Sequence, residues 1–320
     1  MKNKHKNILL LLGSVVFSLI IVELSLWAYY SVQPKTTGIC LGRICKFWFN
    51  ENWMINSLGF RDKEWDFSES TKGALFIGDS FTAGFGVKEN ERFSNIANSR
   101  NHSGIHIYNA GKNNTNTVDQ YKIIKMLTTK EVSLRFVVYQ YLGNDIEYLL
   151  NLDWAEKPSI IQKTALFFIK NSFLFDQFLR PFYLSKFNKT YYKTLVTGYK
   201  NPETFSKHQK NIIKIFKYIR KINAKNIFIV FPMLGSKDLF NQTDLLYVKQ
   251  LKQLFMDNCF SGDSLINISS LLKSLPPKKW VASKFDSHPS SEVHELIGNV
   301  IVDAFAEKKN KFLQPCTNKF

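Results

Sequence analysis

Acidic residues are scarce in this chain of 320: 26 Asp and Glu face 43 Lys and Arg, a formal charge of +17. Such an excess admits nucleic acid, anionic lipid or an acidic polymer as partner. Cysteine is scarce too, with 4 in all, no Cys-x-x-Cys pair and no histidine close by, so the usual tetrahedral zinc arrangements have no support. Cys40 and Cys45 bracket Leu-Gly-Arg-Ile in a short loop, and Cys259 and Cys316 are left as a second pair. Disulfides suit an oxidising compartment, and reduced structural thiols are the other reading. There is no internal repeat and no low-complexity tract, which leaves an ordinary globular body with a heavy aromatic load of 28 Phe and 13 Tyr. A chain of this length buries a substantial single core with room for an anchor or an insertion.

Charge is missing almost entirely from Ile8 to Tyr30, a run of 23 residues broken only by Glu23. At about 1.5 Å per residue that run spans a bilayer's hydrocarbon core. Three lysines within residues 1 to 7 hold the tail on the cytoplasmic side, and Trp27, Tyr29 and Tyr30 form an aromatic belt at the far interface. The rival reading is a cleaved signal peptide, which has a shorter apolar region and an Ala-x-Ala site that is lacking here. Read as an anchor, residues 1–31 place the rest of the chain outside the cytoplasm. That disfavours a nucleic-acid role. Glu23 is costly in such a span, and partial exposure or a helix partner accounts for it better than a proton path.

Residues 32–70 show mixed polarity and no sustained period, as expected of a stalk that packs on a catalytic domain at 71–320. From Ala74 onward short apolar runs alternate with longer amphipathic stretches, the mark of βαβ units. Strands are predicted at 74–79, 105–109, 134–140, 226–231 and 264–268, with helices at 117–129, 204–222 and 241–258. The fold class expected is α/β, a three-layer α/β/α sandwich on a five-stranded parallel sheet, preceded by one transmembrane helix. An insertion at about 151–203 breaks the rhythm. Residues 151–225 hold fifteen Lys and Arg against four Asp and Glu, with many Phe and Tyr. A membrane surface, an acidic glycan or a solvated helical subdomain would each suit it.

Four motifs fall where strands end. The run Leu75-Phe76-Ile77 stops at Gly78-Asp79-Ser80, the pattern of a buried parallel strand whose next side chain emerges at the sheet's carboxyl edge, where open α/β sheets place chemistry. Asn109-Ala110-Gly111 follows the second strand, Gly143-Asn144-Asp145 the third, and Asp286-Ser287-His288-Pro289 precedes the last helix. A serine nucleophile needs a base, an acid to fix the base's tautomer, and donors for an oxyanion. Ser80, His288 and Asp286 fill the first three roles, and the N–H groups of Ser80 and Gly111 with the Asn144 amide fill the last. Asp79 and Asp145 read as loop braces, His294 and Phe60 as structural.

In these four blocks the chain resembles the SGNH (GDSL-type) hydrolase superfamily, over roughly residues 56 to 305. The longer block from Gly78 to Val87, preceded by Gly59-Phe60-Arg61-Asp62, is similar to a bacterial membrane-anchored branch. The resemblance implies a flavodoxin-like sheet, an ester hydrolase or acyl-transfer enzyme, no metal and no organic cofactor. Many members set the acid three residues before the histidine, whereas Asp286 stands two before His288, a spacing also found in the anchored branch. The expected substrate is an ester-bearing glycan or lipid of the cell envelope. An O-acyltransferase using the same residues and a catalytically silent glycan-binding scaffold are the alternatives.

Overall fold

The computed structural model describes residues 2–36, 40–67, 72–129, 133–152, 159–234, 244–283 and 286–317. The chain divides into two compact units, Met1–Glu51 with Asp153–Lys189, and Asn52–Leu152 with Thr190–Phe320.

The second unit is built on a sheet. Strands β1 (Gly73–Ile77), β2 (His106–Asn109), β3 (Leu134–Tyr141), β4 (Lys225–Val230) and β5 (Ser264–Asn267) are parallel and lie in the order β2-β1-β3-β4-β5. All five lie within two residues of the predicted positions at either end. These runs are near-continuously apolar because both faces are covered, as parallel sheets require. The sheet is not purely parallel, however. A sixth strand, Leu313–Pro315, pairs antiparallel with β5 at the edge, so the sheet is mixed and has six strands. Three residues ending in proline carry no readable period. Position comes instead from the Cys259–Cys316 disulfide and the Cys316 N–H, which donates to Asp263 O at 2.9 Å. The other two cysteines pair as Cys40–Cys45.

Side-chain parity shows which helices cover which face. From the even-numbered side of β1 and β3, Phe76 meets Phe93 and Phe305 while Phe136 meets Phe305. Those partners lie on α4 (Phe93–Arg100) and α10 (Ser291–Phe305). From the odd side of β3, Tyr139 meets Phe216, and its neighbour in register, Phe228, meets Phe216 and Phe255. These belong to α8 (Pro202–Lys221) and α9 (Asp244–Asn258). The result is three layers. Thr117–Thr128 forms the predicted helix α5, with Asn116 Oδ1 capping the Val118 and Asp119 N–H groups.

The first unit holds α1 (Lys2–Val32), α2 (Ile44–Asn52, as far as Glu51), α6 (Ile160–Asn171) and the first part of α7 (Phe173–Lys200). Residues 44–52 are helical where no period is legible, because the segment is short and its buried residues are only Ile44, Cys45 and Trp48. Helix α1 is long and apolar enough to cross a membrane from Lys4 to Val32.

The Cys259–Cys316 bond closes 57 residues of sequence and pins the edge strand. Replacing both cysteines with serine should destabilise the chain by about 2–4 kcal/mol. Thermal unfolding of the detergent-solubilised protein with and without the bond would check this, and an unchanged Tm would refute it.

Candidate active site

The short helix α3 (Ser80–Ala83) begins where β1 ends, with Ser80 its first residue. Asp79 caps it, Oδ1 accepting the Phe81 N–H at 2.9 Å, which is the bracing role read from the sequence. As the first residue of a helix, Ser80 has no intrahelical acceptor for its N–H. A Cβ on Gly78 would lie 2.3 Å from both Gln140 Oε1 and Thr82 Oγ1, so glycine is required there. In the space it leaves, Gln140 Oε1 accepts from Asp79 N–H at 3.2 Å and Thr82 Oγ1 at 2.9 Å. Gln140 thereby ties the Ser80 turn to β3, a role no local pattern signals.

Asp286 and His288 do not lie in an open loop. They form part of β7 (Asp286–Pro289), paired antiparallel with β6 (Val281–Ser283). Extended backbone sends residues two apart to the same side, so the two-residue spacing brings the carboxylate to the ring. His288 Nδ1 is 2.6 Å from Asp286 Oδ1, and Nε2 is 2.9 Å from Ser80 Oγ. With Nδ1–H donating to the buried carboxylate, Nε2 is left to accept the Ser80 hydroxyl proton. The ring is held by Phe85, stacked at 4.4 Å and 22°, and by Phe81 at 5.2 Å. Between them Ser287 hydrogen-bonds Tyr192.

Gly111 approaches the same turn so closely that a Cβ would sit 2.3 Å from Ala83 N and 2.5 Å from Thr82 C. Its N–H is engaged, donating to Asn109 Oδ1 at 2.9 Å. An asparagine side chain bonding the backbone two residues on is ordinary turn chemistry. Asn109 Nδ2 in turn donates to Thr82 O at 2.9 Å and Ser94 Oγ at 2.7 Å. Asn144 lies in a 3-10 turn after β3, and no described residue hydrogen-bonds its side chain.

Two arginines missed at the sequence level hold the surroundings. Buried Arg61 donates to Ala83 O at 3.0 Å, to Gly84 O and to Val87 O at 2.9 Å, and its plane lies over Trp53. Burial and the neighbouring Arg92 charge push it down to about 9, so it stays cationic at neutral pH. Arg92 donates to Arg61 O and Asp62 Oδ1, while Asp62 Oδ2 accepts the Asn109 N–H at 2.9 Å. The Gly59-Phe60-Arg61-Asp62 segment therefore grips the chain that follows Ser80 and the end of β2. Phe60 is buried, as expected.

Beneath the third block Asp145 accepts from Leu142 N–H and Gln120 Nε2, both at 2.9 Å. Burial, reinforced by Asp79, holds its carboxyl well above the usual range. Gly143 O accepts from Tyr199, which shares a hydrogen bond with Tyr141; Tyr141 and Tyr148 then flank the two ring nitrogens of His208 at 2.7 and 3.0 Å. This buried chain pins the Gly143–Asn144 turn. Gly143, Tyr192, Leu195, Val196, Tyr199, Met233 and Tyr247 enclose an apolar cavity of about 10 Å³, room for about one water. His294 is fully buried, accepting the Phe93 N–H at 3.2 Å, a structural role as expected. Among the described residues no three His, Cys, Asp or Glu side chains are grouped to hold a metal ion.

No protein-family model matches the chain, and no curated protein matches it. Solved structures do show a likeness. A member of the lipolytic protein G-D-S-L family from Veillonella parvula is 12% identical, covering 73% of this chain and 98% of that one at a TM-score of 0.46. A catalytic mutant of an acetylxylan esterase from Geobacillus stearothermophilus is 13% identical, covering 77% and 100% at 0.46. A lipase from a goat rumen metagenome is 15% identical, covering 73% and 97%, also at 0.46. The likeness is distant, and the chemistry follows from the chain's own residues.

Glu147 supplies a test of the site's electrostatics. Burial first, then the Asp79 charge, raises its carboxyl from 4.5 to about 7. Between those values the unfolded chain is ionised while the folded chain keeps its proton, so stability falls as pH rises through that window. The loss is up to about 1.4 kcal/mol per pH unit. The E147Q variant lacks this titration, and its Tm should gain on the parent from pH 4.5 to pH 7 and then hold level. A Tm difference constant across that range would refute the assignment.

Proposed function

We propose that this chain is a membrane-anchored serine ester hydrolase that works through an acyl-enzyme on short acyl esters of a cell-envelope glycan or lipid. The carrying observation is the continuous contact from Ser80 Oγ through His288 to Asp286, 2.9 and 2.6 Å long. In this reading His288 Nε2 takes the Ser80 proton as Oγ attacks the ester carbonyl carbon, and the Asp286 carboxylate stabilises the imidazolium. The tetrahedral intermediate collapses by returning that proton to the leaving alkoxide. Water, deprotonated by the same nitrogen, then releases the acid and frees Ser80.

For the oxyanion the Ser80 N–H and the Asn144 amide are the unengaged donors. The Gly111 N–H joins them by sharing its hydrogen with Asn109 Oδ1. Anchorage draws on the long apolar helix and on the lysines at its start, which favour a catalytic unit beyond the cytoplasm.

A fluorophosphonate probe should label the native chain at Ser80 and leave S80A unlabelled. Hydrolysis of p-nitrophenyl acetate should fall by roughly a thousandfold or more in S80A and about a hundredfold or more in D286A. Undiminished turnover in S80A would overturn the proposal. Acetyl appearing on an added glycan rather than as free acetate would replace hydrolysis by acyl transfer at the same serine.

A further inference from the structure

The apolar helix α1 carries one carboxylate along its span, and the first unit shows what that group does. Glu23 Oε1 accepts the Phe173 N–H at 2.8 Å, while Oε2 accepts the Leu174 N–H at 3.0 Å and the Ser172 hydroxyl at 2.8 Å. Arg43 Nη1 stands 3.7 Å away. Ser172 is the elbow between α6 and α7, so a side chain from the membrane-type helix caps the start of α7. The other side of the elbow is closed too, with Arg43 Nη1 donating to Asn171 O at 3.2 Å and Ser172 N–H to Phe168 O at 3.0 Å.

Exposure along α1 is equally specific. Of residues 4–30 only Glu23, Leu26 and Tyr30 are shielded, a single stripe at i, i+3 and i+7. Leu26 and Tyr30 pack with Phe173, and the Tyr30 hydroxyl donates to Gln177 Oε1 at 2.5 Å. The hairpin therefore docks on α1 in one register. At about 1.5 Å per residue Glu23 lies about 10 Å inward of Tyr30, well within an apolar run of about 34 Å against a core of about 30 Å. The elbow bonded to Glu23 shares that depth. Around it Phe167, Phe168 and Phe178 are exposed, at 62%, 40% and 58%, with Ile160, Ile161 and Phe182 exposed further along the two helices.

We propose that α6 and the start of α7 form a re-entrant hairpin whose elbow sits in the hydrocarbon of the leaflet at the Tyr30 end of α1, with lipid acyl chains covering its exposed aromatic face. A turn at that depth is tolerated only if its backbone groups are satisfied within the protein. The Glu23, Arg43 and Ser172 bonds meet that demand, and the same bonds give an otherwise costly carboxylate its reason to be in the span. The proposal rests on reading α1 as a retained anchor, and its test separates the two.

All four cysteines are paired, so an introduced cysteine is a unique labelling site. Nitroxide-labelled F167C, V16C and K214C, each in the full chain reconstituted in phosphatidylcholine–phosphatidylglycerol vesicles, would be compared by electron paramagnetic resonance power saturation. Collision with oxygen should exceed collision with a water-soluble nickel chelate at V16C and F167C, and the order should reverse at K214C. Removing the cap with E23L should move the F167C label toward the nickel-accessible class. A lipid-exposed V16C with a nickel-accessible F167C, or an F167C shielded from both relaxants, would overturn the hairpin and leave the anchor standing. A nickel-accessible V16C, or its loss with a cleaved leader, would overturn both.

Discussion

Close approach of three strand ends at one edge of the sheet is the constraint on which the rest depends. Ala83 N and Thr82 C lie where a Cβ of Gly111 would be, and Gln140 Oε1 lies where a Cβ of Gly78 would be. Packing at that density leaves no freedom in the turn that carries Ser80. The turn is further locked by Asp79 from within, by Gln140 from β3 and by Asn109 from β2. In the role proposed for it, Ser80 would need little reorganisation to react, which is where preorganised sites gain their rate.

Support for this edge comes from buried charge. Arg61 and Arg92 are both removed from water, yet their donors meet backbone carbonyls, Asp62 and Glu89. Buried charges are retained only when their partners are supplied, and for Arg61 the partners are carbonyls of the loop that follows Ser80. On the other side of the site a chain of tyrosine hydroxyls and a neutral His208, whose ring burial depresses to about 3, steadies Gly143. The first unit repeats the theme with one carboxylate and one helix start.

Much of the fold was legible along the chain, and for a clear reason. Parallel strands buried on both faces must be apolar throughout, so Leu75-Phe76-Ile77 and Phe136-Val137-Val138-Tyr139 announce themselves without any knowledge of their neighbours. Gly78 and Gly111 prove to be positions of close approach; what approaches Gly111 is the backbone of α3, and its N–H turns to Asn109. The edge strand Leu313–Pro315 and the helix Ile44–Asn52 were illegible because disulfides and neighbouring chain position them more than their own period does. The same holds for Arg61, Gln140 and Tyr199, whose roles depend on partners 22 to 61 residues away.

What the sequence determined by itself is therefore the set of chemical groups and the strand ends that carry them: Ser80, Asn109 to Gly111, Gly143 to Asp145, and Asp286 with His288. Local pattern suffices for these because each motif sits at the boundary of an apolar run. Only the tertiary structure decided that a two-residue spacing reaches, since β7 is extended and turns Asp286 and His288 to one side. It alone decided that Ser80 and His288, 208 residues apart, meet at 2.9 Å. It alone gave Glu23 a partner, because the helix start it caps is about 150 residues distant and no period in either segment encodes the other.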